Sequence, residues 1–156
     1  MKFLILSANT GQGHNSCAKA ISDVCTSHGD ICVTEDVFAL VSPMLSRAIS
    51  KNHDRTYRRN PGLSEKSYRY METHPEIFSQ KRFIFHLMST GRKQVAAYIR
   101  QTGCEAVICT HVLAAMILTA ALQKEGLTVP SAFVATDYSC CPGINGTALD
   151  RYFIPH

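Results

Sequence analysis

The sequence lacks several features that would place it in a specialised class. It has no tryptophan, and its seven cysteines include no Cys-x-x-Cys spacing, so the close-paired ligands that tetrahedral zinc usually takes are missing. Their odd number and their position within apolar runs argue against a disulfide framework and indicate a reduced, cytoplasmic protein. No run approaches the roughly 20 apolar residues that span a bilayer, so any membrane contact is expected to be peripheral.

Length and charge predict one domain with a polarised surface. With 156 residues, 46% of them apolar, the chain is long enough for a single globular domain with its own core. The net charge is only +4, but residues 47–93 hold eleven basic and four acidic side chains, so the remainder of the chain is acidic. Six aromatic residues lie in the same stretch, which is called the basic segment below.

The composition of the basic segment indicates an anionic partner. Anionic lipid headgroups are favoured over nucleic acid, since no nucleic-acid-binding motif accompanies the charges. The alternative is an ordinary solvated face. The side chains predicted to contact anionic lipid are Arg55, Arg58, Arg59, Lys81 and Arg82.

Apolar strands alternate with helices along most of the chain. Strands are predicted at 2–8, 31–36, 105–110, 131–135 and 150–155, and helices after the loop 9–15, from about 76 toward 101, and over 111–125. Gly29 and Gly126 are expected to end the helices that precede them. This order predicts an α/β fold with a Rossmann-like, doubly wound, mostly parallel sheet that helices cover on both faces.

Polar clusters follow three of the predicted strands, at residues 9–15, 110–111 and 136–141. The carboxyl ends of parallel strands meet at one edge of the sheet, and ligands of open α/β sheets bind outside that edge. We therefore expect the functional site to lie there.

The loop Gly11-Gln12-Gly13-His14 opens the first helix. It matches neither the dinucleotide fingerprint nor the ATP phosphate loop. Two glycines before a helix let the backbone approach an anionic ligand, although a purely structural tight turn would use them equally well. His14 could accept or relay a proton, or it could only cap the turn or hydrogen-bond a neighbouring loop, and His111 invites the same two interpretations. Asp137 is either a catalytic carboxylate or a turn-forming residue.

Four motifs, in order, carry a family resemblance: residues 4–15, 107–111, 134–138 and 150–155. Together they resemble the amino-terminal domain of monogalactosyldiacylglycerol synthases and bacterial processive diacylglycerol glucosyltransferases. The resemblance implies the amino-terminal half of a GT-B glycosyltransferase, in which this domain binds the acceptor diacylglycerol. A carboxy-terminal domain absent from this sequence would bind the UDP-sugar, so this chain alone is expected to be inactive. The resemblance implies no metal or other cofactor.

The resemblance also implies roles for individual residues. Asp137 would be the base that takes the proton of the diacylglycerol hydroxyl, and His14 would orient the acceptor or contact an anionic lipid. The residues implied to line the cleft are Gly11, Gln12, Gly13, Thr110, His111, Thr136 and Tyr138. The protein would be peripheral on the cytoplasmic face of the membrane, docked there by the basic segment.

Two departures and two alternatives accompany the resemblance. The family pattern has a tryptophan a few residues after the position of Asp137, and a proline where this chain has Val112. One alternative is a GT-B transferase that acts on another lipid-linked acceptor, such as the muramyl intermediate of peptidoglycan synthesis. The other is a non-enzymatic module that binds an anionic small molecule through the glycine loop.

Overall fold

The fold is a parallel α/β sheet, seen here in a computed structural model. The structure describes residues 1–10, 12–44, 46–48, 66, 69–71, 73–80, 85–86, 89–137 and 142–155. Five strands are β1 (Lys2–Ser7), β2 (Ile31–Asp36), β3 (Ala106–Cys109), β4 (Ser131–Val134) and β5 (Arg151–Phe153). The helices are α1 (Gln12–Ser27), α2 (Val37–Val41), α3 (Arg92–Thr102) and α4 (Val112–Lys124), with short 3-10 turns at Pro75–Phe78 and Ile144–Gly146.

All strand pairs are parallel, in the order β2-β1-β3-β4-β5. The chain steps outward from β1 to β2, crosses back over β1 to β3, and then continues to β5. The order therefore reverses between β1 and β3, which is the position where doubly wound folds open a crevice for ligands. The predicted α/β class and the mostly parallel, Rossmann-like sheet are confirmed.

The main core lies between the sheet and the helices α3 and α4. Alternate residues of β1, Leu4 and Leu6, point to this side and are buried with Val107, Cys109 and Phe133. Helix α4 is apolar almost all round and buries nine of its residues. Burial in this core raises the pKa of the Cys109 thiol, so the thiol stays protonated and behaves as a small apolar group.

Two glycines end helices as the sequence predicts. Gly29 follows α1 with φ +87°, and Gly126 follows α4 with φ +61°. Residues that carry a side chain rarely adopt this left-handed backbone conformation, which turns the chain away from the helix axis. Glycine is therefore favoured at both positions.

The prediction of one long helix from about residue 76 toward 101 is wrong. Residues Pro75–Phe78 form only a 3-10 turn, and α3 begins at Arg92 after a turn over 89–91. Gly91 sits so close to α2 that a Cβ there would lie 2.1 Å from Cγ2 of Val41. The apolar residues of this stretch therefore pack against two different surfaces of the domain and do not form one stripe along a single helix.

The cysteines that the structure describes are not cross-linked. Cys17, Cys25, Cys32, Cys104 and Cys109 are free. The pair at 140–141 lies outside the described residues. Within the described ranges, none of the helices is long and apolar enough to cross a membrane.

Candidate functional site

The loop between β1 and α1 is tied down by its own polar groups. The Thr10 amide donates to the carbonyl of Ala8 at 2.8 Å, and the Ser7 hydroxyl donates to the side-chain oxygen of Asn15 at 2.9 Å. Gly13 is exposed, and no described atom outside the helix backbone and the neighbouring residues lies within 4 Å of the position that a Cβ would take there. A ligand can therefore approach the first turn of α1, whose unpaired amides and dipole favour a negative or strongly polar group.

His14 is held by groups from two other strand ends. Its Nδ1 lies 2.8 Å from the carbonyl oxygen of Thr110, just after β3, and 3.0 Å from the hydroxyl oxygen of Thr136, just after β4. A carbonyl oxygen only accepts hydrogen bonds, so Nδ1 is the donor. In the neutral ring Nε2 is then the acceptor nitrogen, and it has no hydrogen-bond partner among the described residues.

His111 is both a helix cap and a neighbour of His14. Its Nδ1 accepts the backbone N–H of Leu113 at 3.1 Å, so the capping interpretation of this residue is confirmed. The imidazole rings of His14 and His111 also meet edge to face, with centroids 4.5 Å apart and planes at 74°. The two histidines therefore form one cluster at the switch point of the sheet.

Two buried hydroxyls lack partners at the same edge. The hydroxyl oxygens of Thr10, after β1, and Thr110, after β3, are buried and have no hydrogen-bond partner in the described part of the chain. Leaving a buried hydroxyl unpaired costs about 1–3 kcal/mol. The edge is therefore suited to a polar group that would complete these bonds. Sequence reasoning included Thr10 in the polar cluster 9–15 but did not single it out, although a hydroxyl residue directly before a glycine loop was the available signal.

The remaining predicted cleft residues divide into exposed and undescribed ones. Asp137 follows Thr136 directly and is exposed, with no hydrogen bond to any described residue. Gln12 is exposed at the start of α1. Gly11 and Tyr138 lie outside the described residues. The structure thus brings together His14, Thr110, His111 and Thr136, with Asp137 next in the chain.

The described aromatic side chains of the basic segment divide into buried phenylalanines and an exposed tyrosine. Phe78 and Phe85 are 5% and 0% exposed and form a second buried cluster with Met116 and Ala120. Tyr70 is 57% exposed and stacks on His74, with ring centroids 4.3 Å apart. The phenylalanines therefore anchor the segment to α4, and the argument that all six aromatic residues suit a membrane surface is wrong for these two.

Basic side chains of this segment lie on its outside. Arg47, Lys66, Arg69 and Lys93 are exposed, whereas Arg92 forms an ion pair with Glu125 at 2.9 Å. The five side chains predicted to contact lipid, Arg55, Arg58, Arg59, Lys81 and Arg82, lie outside the described residues.

A parallel sheet whose strand order reverses beside a pair of histidines defines an α/β domain of the Rossmann-like class. Comparison of sequences identifies it further: a sequence model of the monogalactosyldiacylglycerol (MGDG) synthase family matches residues 14–156. The chain belongs to this family, and the predicted resemblance is confirmed. The matched region contains every residue of the histidine cluster.

A curated relative gives the scale of the resemblance. The chain is 24% identical over 155 residues to a processive diacylglycerol beta-glucosyltransferase of Bacillus pumilus (strain SAFR-032). The alignment covers 98% of this chain and 39% of the relative, so the chain spans about two fifths of the length of that protein. No solved structure matches the chain significantly.

Proposed function

We propose that this chain is the acceptor-binding domain of a glycosyltransferase that transfers a hexose from a UDP-sugar to diacylglycerol. Its family membership over residues 14–156 gives the class of reaction. The observation that carries the proposal is the position of His14, held by Thr110 and Thr136 at the switch point of the sheet. The acceptor hydroxyl would bind at this edge.

The reaction needs a base on the acceptor side. The diacylglycerol oxygen attacks the anomeric carbon of the sugar, the hydroxyl proton passes to the base, and the bond to UDP breaks. His14 is the better placed of the two predicted side chains, because its Nδ1 is committed to a carbonyl and its Nε2 is left as an acceptor. Asp137 is exposed and follows Thr136 directly in the chain, and we assign it a supporting role in holding the acceptor.

The unpaired hydroxyls support a polar acceptor at this edge. Thr10 and Thr110 each offer a buried hydroxyl that can donate to or accept from a second hydroxyl. The empty space above Gly13 leaves the first turn of α1 accessible to the same molecule. A diacylglycerol headgroup, which has one free hydroxyl and two ester carbonyls, matches these donors and acceptors.

The donor sugar would be bound by a second domain. This chain corresponds to 39% of the curated relative, which leaves room in that protein for another domain of similar size. Within the described residues, no group of three His, Cys, Asp or Glu side chains could hold a metal ion. We assign charge stabilisation of the UDP leaving group to helix N-termini and side chains of the second domain, which can hold a diphosphate through their dipoles and hydrogen bonds.

Membrane docking would use the basic segment. Its exposed Lys66 and Lys93 lie outside the core, while Phe78 and Phe85 fix the segment to the domain. Anionic lipid attracts each such cation by about 1 kcal/mol near the surface. The segment would bring the domain to the cytoplasmic face of the membrane, where diacylglycerol is available.

A transfer assay tests the proposal. The longest natural form of the protein is incubated with radiolabelled UDP-glucose or UDP-galactose and vesicles that contain diacylglycerol, in parallel with a lipid-linked muramyl acceptor. We expect labelled glycolipid when diacylglycerol is the acceptor and no labelled product from the muramyl acceptor. The His14→Asn variant should lose the labelled glycolipid. Transfer to the muramyl acceptor alone would contradict the proposed acceptor. Binding of anionic ligands without transfer to either acceptor would contradict the enzymatic function.

A further inference from the structure

We infer that His111 is a positioning residue that holds the ring of His14 in one orientation and one tautomer. The inference rests on the proposed role of His14 as the base. His111 is 9% exposed and stands directly before α4, so its ring is fixed by the helix that it caps. The His14 ring packs edge to face against it, with centroids 4.5 Å apart.

The two rings have opposite hydrogen-bonding roles at Nδ1. In His111 this nitrogen accepts the Leu113 N–H, so it carries no proton and the neutral ring is protonated at Nε2. In His14 the same nitrogen donates to the carbonyl of Thr110, so the neutral ring is protonated at Nδ1. The backbone at the start of α4 thus sets the tautomer of both histidines.

One dipeptide supplies both contacts to His14. Thr110 gives the carbonyl that takes the Nδ1 proton, and the next residue, His111, gives the ring against which His14 packs. Rotation of the His14 ring about its Cβ–Cγ bond would exchange Nδ1 for a carbon and break the bond to Thr110. The His111 ring opposes this rotation, so Nε2 of His14 keeps facing the position proposed for the acceptor hydroxyl.

Asparagine at position 111 separates the ring contact from the helix cap. An asparagine side-chain oxygen also accepts a backbone N–H at the first turn of a helix, so His111→Asn keeps the cap and removes the ring. His111→Ala removes both. The measurements are the imidazole nitrogen NMR signals of His14, assigned by their loss in His14→Asn, the melting temperature, and kcat and KM in the transfer assay.

We expect His111→Asn to keep the wild-type melting temperature, whereas the His14 nitrogen signals shift toward an average of the two tautomers. With the base misplaced, kcat should fall roughly 10- to 100-fold while KM for the UDP-sugar is unchanged. His111→Ala should show the same shift and also melt at a lower temperature.

The outcomes separate this inference from the proposed function. If His111 is only a helix cap, His111→Asn will match the wild type in nitrogen signals and in kcat, and the inference is overturned. If no form of the protein transfers sugar but His111→Asn still shifts the His14 signals, the positioning role stands and the proposed function fails. If His14→Asn abolishes transfer while His111→Asn changes nothing, the function stands and the positioning role fails.

Discussion

Two ring pairs show how differently the sheet edge and the basic segment are built. His14 contacts His111 at the edge, and its hydrogen bonds reach residues 96 and 122 positions away in the chain. Tyr70 stacks on His74 only four residues away, and it is largely exposed. The edge is therefore assembled by the whole fold, whereas this exposed ring pair of the basic segment is formed within one short stretch of chain.

The sheet edge and the basic segment also differ in which side chains they bury. In the basic segment, Phe78 and Phe85 are buried, whereas the described cations other than Arg92 are exposed, which is the ordinary division of an aqueous surface. At the edge, polar groups are turned inward, and two buried hydroxyls have no hydrogen-bond partner among the residues that the structure describes. Stability is expected to depend on the anchors of the segment, and activity on the edge.

The largest effect is expected at the edge, from His14→Asn. Loss of a general base lowers rates by roughly 10²- to 10⁴-fold, so kcat should fall on this scale while the melting temperature changes little. His28→Asn is the matched control, because His28 is exposed at the far end of the same helix. Equal loss in both variants, or a larger loss in Asp137→Asn than in His14→Asn, would contradict the assignment of the base.

Phe85→Ala should have the largest effect on stability. The side chain is fully buried, and removing a phenylalanine from a core costs about 3–5 kcal/mol, which urea unfolding can measure. Tyr70→Ala, from the same segment but exposed, should change stability by less than about 0.5 kcal/mol. Similar losses in the two variants would show that the segment is not anchored as described.

Two glycine substitutions should move stability in opposite directions. A Cβ on Gly146 would lie 2.2 Å from the carbonyl oxygen of Phe78, so Gly146→Ala should cost about 1–3 kcal/mol. Gly13 is the second residue of α1 and no described atom crowds it, so Gly13→Ala should add at most about 0.5 kcal/mol, less than in the middle of a helix. The Gly13→Ala variant also tests where the acceptor binds. If the acceptor occupies the space next to Gly13, this variant should have a raised KM for diacylglycerol although it is more stable. An unchanged KM would place the acceptor elsewhere.

Removing cations from the basic segment should weaken membrane binding without affecting folding. Each cation contributes about 1 kcal/mol at an anionic surface, so Lys66→Gln with Lys93→Gln should reduce flotation with anionic vesicles at low salt by more than tenfold. Lys19→Gln is the control, since Lys19 is exposed on α1 and pairs with Asp23. Equal binding by all forms, or binding that ignores salt, would remove the lipid role from this segment.

The smallest effect is expected where α3 is tied to the end of β2. The Tyr98 hydroxyl donates to Glu35 at 2.7 Å, and this bond, followed by burial, raises the pKa of Tyr98 to about 12 from an ordinary value of 10. Because the folded-state pKa is the higher one, the bond adds stability below pH 10 and loses it as the pH rises toward 12. The difference in unfolding free energy between wild type and Tyr98→Phe should narrow over that range; a constant difference would contradict the bond.

Much of the fold was predictable because the strands are short apolar runs bounded by turn-forming residues. All five were expected within two residues of their observed ends, and Gly29 and Gly126 end their helices as predicted. The expected helix from about 76 failed because apolar periodicity cannot tell one packing surface from two. Phe85 belongs to the second buried cluster, and Gly91 is pressed against α2.

The sequence by itself determined the family, the order of strands and helices along the chain, and the three polar clusters that follow β1, β3 and β4. Only the tertiary structure decided which atoms meet. The group that holds His14 is a backbone carbonyl, which every residue possesses, so no side-chain pattern marks Thr110 as its partner. The parallel crossover from β2 over β1 to β3 brings these residues together, because it places strand ends that are distant in the chain at one edge of the sheet.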